Sequence, residues 1–209
     1  MEIKLFSYPD SRFSANTYIC YNEDKEALII DPGIEDENII DFIIDNNLNL
    51  KAILLTHAHF DHIRGLTRLL KEFSVNVYLH SNDLELLRNP YLNLSHYMDD
   101  NDYRSEIEPI LIKDDDRLAL LKGENIIVIH TPFHTKGCVC YYFSISKVLF
   151  SGDTLFNNSI GRFDLPTSTP QDIKSSLNNL FILPDEVIVY PGHGPITSIM
   201  MEKFNNKEI

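Results

Sequence analysis

The stretch Thr56-His57-Ala58-His59-Phe60-Asp61-His62 places three histidines and an aspartate within six residues. Imidazole nitrogens and carboxylate oxygens together suit zinc, iron or manganese. The stretch follows Lys51-Ala52-Ile53-Leu54-Leu55, an apolar run with the length of a buried strand. In extended chain alternate side chains share a face, so His57, His59 and Asp61 are expected to converge. His62 is left to turn elsewhere, near the start of a helix predicted over about 63–73 from its apolar spacing. A histidine-rich surface loop is the bland alternative, but such loops seldom follow a buried strand so closely.

Three further candidates lie in the second half of the chain. His134, Asp153 and His193 each stand at or just after the end of an apolar strand, in turns rich in Pro and Gly. One such histidine alone would be structural. Beside the first cluster they make seven candidate ligands: His57, His59, Asp61, His62, His134, Asp153 and His193. One tetrahedral zinc uses four. Seven suit two metal ions that share a carboxylate.

The elements that must position these groups are legible as a series of short strands and helices. Strands are predicted over 3–7, 17–21, 26–30, 51–55, 75–80, 118–121, 126–130, 139–143, 148–153 and 186–190. Tyr8-Pro9-Asp10-Ser11-Arg12 reads as a polar turn, and Lys122-Gly123-Glu124-Asn125 as a hairpin. Helices are predicted over 35–46, from Ser81 to Leu87, and from Pro170 to about Leu180. Asn89 to Glu108 is the one long irregular stretch, a site cover or a solvated connector. Leu28-Ile29-Ile30-Asp31 has an echo in Leu149-Phe150-Ser151-Gly152-Asp153, each followed by a helix and a strand ending at histidine. The echo suggests one domain, 1–209, of two similar halves, about 1–108 and 109–209. Each is a sheet backed by helices, with the site where the strand ends face each other. Asp31 itself reads as a supporting or structural residue.

Composition excludes several classes. The 209 residues carry 18 basic and 31 acidic side chains, a net charge of -13, which argues against nucleic-acid and anionic-lipid surfaces. No apolar run approaches the roughly 20 residues of a membrane span, and the first residues lack a signal-peptide pattern. A cytoplasmic location is therefore expected. Cys20, Cys138 and Cys140 form no disulfide framework and read as small buried residues. His80, His96 and His130 belong to no motif, and nothing selects Tyr97 or Tyr103 as pocket residues. The sequence carries no signal for oligomeric state.

The run Thr-His-x-His-x-Asp-His, the turn Thr131-Pro132-Phe133-His134-Thr135, Ser151-Gly152-Asp153-Thr154-Leu155-Phe156 and Pro191-Gly192-His193-Gly194-Pro195 resemble the metallo-β-lactamase superfamily in order and spacing. Within it, Gly161-Arg162-Phe163-Asp164-Leu165-Pro166 makes the chain look like the small glyoxalase II-like hydrolases. The resemblance covers nearly the whole chain. It implies an α/β (α+β) four-layer αβ/βα sandwich. It also implies one metal on His57, His59 and His134 and a second on Asp61, His62 and His193, with Asp153 bridging. Phe133 departs from the family's usual glycine, a change expected to bear on pocket shape. Full-length glyoxalase II enzymes continue into a helical domain that helps to hold glutathione, and that segment is not expected here.

The resemblance implies hydrolysis of a thioester, S-lactoylglutathione or a similar hydroxyacyl thioester. Two divalent ions, zinc first with iron or manganese as alternatives, would supply hydroxide near neutral pH. Asp61 and Asp153 are the candidate catalytic carboxylates. Arg162 stands where the longer enzymes carry a glutathione-binding lysine. It is a candidate to hold a substrate carboxylate, against an ion pair with Asp164 that only stabilises its loop. The alternatives are a persulfide dioxygenase with a single iron, a hydrolase of other esters or lactones or of β-lactams, and a binding module in which metal only staples the fold.

Overall fold

The computed structural model describes residues 1–8, 14–98 and 102–208. The first sheet comprises β1 (Glu2–Phe6), β2 (Thr17–Tyr21), β3 (Glu26–Ile30), β4 (Asn49–Leu54), β5 (Asn76–His80) and β6 (Ile110–Ile112), neighbours in that order. The first three strands run antiparallel, and the steps from β3 to β6 are parallel. Parallel steps need crossovers. These are supplied by α1 (Glu37–Asp45), α2 (Phe60–Ile63), α3 (Leu66–Glu72), α4 (Leu84–Arg88) and α5 (Ser95–Met98).

The chain passes to the second sheet between Ile112 and Arg117. Its strands are β7 (Arg117–Leu118), β8 (Ile126–His130), β9 (Val139–Phe143) and β10 (Val148–Gly152). A separate hairpin, β11 (Leu155–Phe156) and β12 (Ser159–Ile160), and the helix α6 (Ile173–Phe181) follow. β13 (Ile188–Pro191), β14 (Thr197–Ser198) and α7 (Ile199–Asn205) end the fold. The order across this sheet is β14-β13-β10-β9-β8-β7, with β10 and β13 parallel.

The central strands are buried on both faces, which explains why they read as continuous apolar runs. Their alternation sorts them into three cores. Tyr18, Leu28, Ile30 and Leu54 face Val128, Tyr141, Phe143 and Phe150 between the sheets. Ile19, Ile29, Ile53 and Leu79 turn the other way, onto Ile39, Ile43, Leu66 and Leu69 of the helices. Cys140, Tyr142, Leu149 and Val189 pack on Leu177, Leu180 and Ile199. Helix, sheet, sheet and helix therefore make the four layers the resemblance implies. Cys20, Cys138 and Cys140 are free thiols, all buried.

Several sequence expectations shift locally. The helix expected over 63–73 is two short helices, α2 and α3, broken at Arg64 and Gly65, where Gly65 N–H donates to Pro32 O at 2.8 Å. Ser81 begins a 3-10 turn rather than capping a helix; the cap is His80, whose Nδ1 accepts from Asn82 N–H. The strand expected over 118–121 is only Arg117–Leu118. The long irregular stretch contains α5 and is anchored by Asn93, whose amide donates to Leu86 O and Tyr103 O at 2.9 Å. Residues 99–101 of that stretch, and 9–12 of the expected polar turn, lie outside the described residues.

Candidate metal centre

The candidate ligands gather at the carboxyl ends of β4, β8, β10 and β13, the usual place for a site in an α/β sheet. His57, His59 and His134 form one set whose ligand atoms lie within 4.8 Å of one another. Asp61, His62 and His193 form a second, and Asp153 joins His57 and His62 in a third. His59 Nδ1 and His134 Nε2 stand 2.9 Å apart. Asp153 touches both sides. Its Oδ2 lies 3.4 Å from His134 Nε2 and 3.6 Å from His193 Nε2, and its Oδ1 lies 3.3 Å from His62 Nε2. Asp61 Oδ2 is 3.2 Å from His193 Nε2.

The alternation expected for 57, 59 and 61 stops early. Extended backbone ends at His59, which is the residue before α2, so Asp61 and His62 follow on its first turn. That turn separates Asp61 from the histidine pair and places it with its neighbour His62 in the second set.

The rings of His57, His62 and His134 are each aimed by a partner on the far nitrogen, the arrangement that fixes a metal-ligating tautomer. His62 Nδ1 donates to Asp31 Oδ2 at 2.9 Å. His134 Nδ1 donates to the carbonyl of Arg162 at 2.8 Å. Thr56 Oγ1 donates to Asp31 Oδ2 at 2.6 Å, so it accepts from His57 Nδ1 at 3.2 Å. Asp31 thus supports one ring in each set. It does so from a left-handed backbone, φ 49°. Near the junction, a Cβ on Gly192 would lie 2.3 Å from Asp153 Oδ1, so only glycine lets the His193 turn pass this close.

His57 Nε2, His59 Nε2, His62 Nε2 and Asp153 Oδ1 are buried without a hydrogen-bond partner. Buried polar atoms of native proteins are rarely left so. For His57, His62 and Asp153 these atoms face the cluster. His59 turns its Nδ1 inward and leaves Nε2 buried on the other side. Electrostatics point the same way. Burial, then the neighbouring imidazoles, hold His57 well below its ordinary pKa, and burial brings His59 down to about 3. Both are neutral, the form that ligates. Burial would raise Asp153, but His193, His62 and His134 outweigh it and keep the carboxylate ionised. Burial would lower His62, but Asp153, Asp31 and Asp61 outweigh it and raise its pKa. The second set and Asp153 therefore favour positive charge between them. The donor set fits divalent ions.

The cluster opens on a cavity of about 290 Å³. His59, Asp61, His134, Asp153 and His193 line its floor; Leu94, Met98, Phe156 and Leu165 line its wall, with Arg162 at its edge. Sequence reasoning found the floor and missed the wall. Leu94 is held at φ 73°, a left-handed conformation costly for a leucine. Arg162 Nε and Nη2 donate to Asp164 at 3.0 and 3.2 Å, and both side chains are exposed. Phe133 is fully buried and does not line the cavity, so the departure from glycine leaves the pocket wall untouched. His80 and His130 stack on each other 4.1 Å apart, outside the site. His96 pairs with Asp102, and Tyr97 and Tyr103 do not line the cavity. Among the described residues no helix is long and apolar enough to cross a membrane.

Comparison with known proteins shows what the chain and its fold are similar to. The chain is 35% identical over 199 residues to the probable metallo-hydrolase YqgX of Bacillus subtilis, covering 95% of this chain and 93% of that protein. It is 33% identical over 208 residues to the hydroxyacylglutathione hydrolase GloC of Haemophilus influenzae, covering 95% and 94%. Among solved structures it resembles the BLEG-1 B3 metallo-β-lactamase, with TM-score 0.92, 37% identity and 99% of each chain covered. It also resembles TTHA1623 in a di-iron-bound form, with TM-score 0.84 and 33% identity over 95% of this chain and 97% of that one. The family model of the metallo-β-lactamase superfamily matches residues 10–193, and the chain belongs to that superfamily.

Proposed function

We propose that the chain is a binuclear metallo-hydrolase that cleaves a thioester, as a glyoxalase II-like enzyme does. The observation that carries this reading is the place of Asp153. Its two oxygens reach His134 on one side and His62 and His193 on the other, at the floor of a cavity with an apolar wall. His57, His59 and His134 would hold one ion, Asp61, His62 and His193 the other, and Asp153 both. When bound, the two ions polarise a carbonyl and bring the pKa of a water toward neutrality. Asp61, on the cavity floor, is positioned to hold a proton released during attack. Leu94, Met98, Phe156 and Leu165 exclude bulk water and receive the apolar part of the acyl group. Arg162, on leaving Asp164, holds a carboxylate of the thiol portion. A thiolate leaves without help from an acid. The similarity to GloC supports the substrate class, and the complete second set favours two ions over the single iron of an oxygenase.

A second reading, cleavage of a β-lactam, draws support from the 37% identity to the BLEG-1 enzyme. One experiment separates the readings. Protein purified without added metal is assayed for metal content, for S-lactoylglutathione cleavage, for β-lactam cleavage, and for oxygen uptake with glutathione persulfide. About two ions per chain with thioester cleavage is the expected result. β-Lactam turnover alone, or one iron with oxygen uptake, overturns it.

A further inference from the structure

Asp83 lies in the 3-10 turn after β5, outside every motif, and is wholly buried. Its Oδ2 accepts from the backbone N–H of Ala58 at 3.1 Å and from Thr135 Oγ1 at 2.8 Å. Its Oδ1 accepts from the backbone N–H of Gly137 at 2.8 Å. Ala58 stands between His57 and His59, in the loop after β4 of the first sheet. Thr135 and Gly137 follow His134, in the loop between β8 and β9 of the second. One carboxylate therefore joins the two loops that supply the three-histidine set.

The choice of side chain is informative. Among the described residues no cation pairs with Asp83, and burying a carboxylate costs several kcal/mol unless hydrogen bonds replace its water. All its partners here are donors, spread over both oxygens. An asparagine of the same shape would accept at one atom only and turn an N–H toward a donor at the other. The second loop is shaped to the same contact. A Cβ on Gly137 would lie 2.5 Å from Asp83 Oδ1, so the loop reaches the carboxylate only as glycine. Val139 N–H donates to Thr56 O at 2.9 Å and ties the same loops at a second point. Between those ties the backbone has little freedom to change the spacing of His57, His59 and His134.

We infer that Asp83 is a positioning residue for the three-histidine set: it fixes the separation of the two ligand loops and so sets the affinity of that set for its ion. The inference rests on the reading of these histidines as ligands, so the test begins with a control for that reading. In a His193→Ala background, chosen so that the three-histidine set is read alone, zinc affinity is measured by chelator competition, and the visible spectrum of the cobalt-substituted protein reports ligand geometry. Asp83→Asn is expected to weaken zinc binding about tenfold or more, the range for loss of a group that supports a ligand, and to alter the cobalt bands. Gly137→Ala, which pushes on the same contact from the other loop, is expected to do the same to a smaller degree. It also serves as the test if Asp83→Asn does not fold. Unchanged zinc affinity and cobalt bands in a folded variant, with only a lower melting temperature of the metal-free protein, would make Asp83 a structural residue and overturn the inference. Absence of zinc binding in the parent and the background alike overturns the ligand reading and this inference with it.

Discussion

His57, His59 and His134 are almost wholly buried, whereas His193 keeps 36% of its side chain exposed and Asp61 keeps 18%. The two sets flank one carboxylate, yet they are held differently. The closed set is fixed from outside by Thr56, the Arg162 carbonyl and the loop contacts of Asp83. The open set has Asp31 behind His62, while His193 rests edge-on against Phe156 with ring centroids 6.0 Å apart. Preorganisation on one side and greater access on the other suit the pair of ions proposed above. Both sets reach the cavity floor, His59 and His134 from one and Asp61 and His193 from the other, and on the proposed reading the deeper set would hold its ion more tightly. Partners divide the sets less cleanly: His57 and His134 have the far nitrogen satisfied by protein, as does His62 of the open set, whereas His59 does not.

The largest effect should come from removing the group the two sets share. Asp153→Ala is expected to lower hydrolysis by roughly three orders of magnitude, several kcal/mol of transition-state stabilisation, and to reduce metal content on both sides. Steady-state kinetics with elemental analysis reads this, and near-parental activity would dissolve the picture of a shared carboxylate. Next, the sets should part company. His57→Ala is expected to lose the tightly held ion, whereas His193→Ala keeps about one ion per chain and loses roughly a hundredfold in rate. Equal metal loss in the two variants would erase the distinction between a closed and an open side. Asp31→Ala, which withdraws support from His62 directly and from His57 through Thr56, should weaken both ions by about 10–100-fold. Loss from one side only would show that Thr56 orients His57 without it.

Two smaller effects serve as controls. Burial, then His130 stacked beside it, pushes His80 down to about 4 from an ordinary 6.5. Its folded value lies below its unfolded one. The stability it contributes is therefore present above about pH 6.5 and is lost as pH falls toward 4. His80→Phe should recover on the order of 1–2 kcal/mol at pH 5 in denaturant titrations and leave the affinity of both sets alone. Changed metal affinity would mean that the stacked pair communicates with the site. The smallest change concerns Leu94 in the cavity wall. Glycine there relieves a left-handed backbone costing roughly 1–2 kcal/mol but gives up a buried side chain. Leu94→Gly should thus melt higher than Leu94→Ala, against the usual order of the two residues. It should also favour thioesters with longer acyl chains. The reverse melting order would mean that the backbone at 94 is not strained.

Most of the floor was legible because its chemistry is written in residue type. Histidine and aspartate directly after buried strands have few structural reasons to recur, and strands buried on both faces announce themselves as apolar runs. The wall was not legible. Leu94, Met98, Phe156 and Leu165 are ordinary apolar residues in irregular or short elements, and only three-dimensional packing brings them to one cavity. Asp83 was missed for a related reason. Its partners are two backbone amides and a threonine, none of which leaves a mark at a fixed spacing. The separation of Asp61 from His59 was also hidden, because nothing in the run says where extended chain gives way to helix. Phe133 shows the converse: a departure from a family pattern can fall beside a ligand and still face the core.

The turn that carries His193 is fastened to residues far away in sequence. Asn16 N–H donates to Gly192 O at 2.7 Å, its side chain donates to Pro191 O and Gly194 O at 3.1 and 3.0 Å, and Tyr18 OH donates to Pro191 O at 2.7 Å. Contacts spanning more than 170 residues close late, because the entropy of a large loop must be met first. During synthesis, His57, His59 and His134 all leave the ribosome before the segment with His193 that completes the open side. On the binuclear reading the order of folding becomes an order of loading: the closed set could take an ion once the loop carrying His134 has joined that of His57 and His59, and the open set would wait until the last strands of the sheet have docked. Refolding followed by stopped-flow metal indicators would show this as two uptake phases, the slower one keeping pace with burial of Tyr18 and Tyr190.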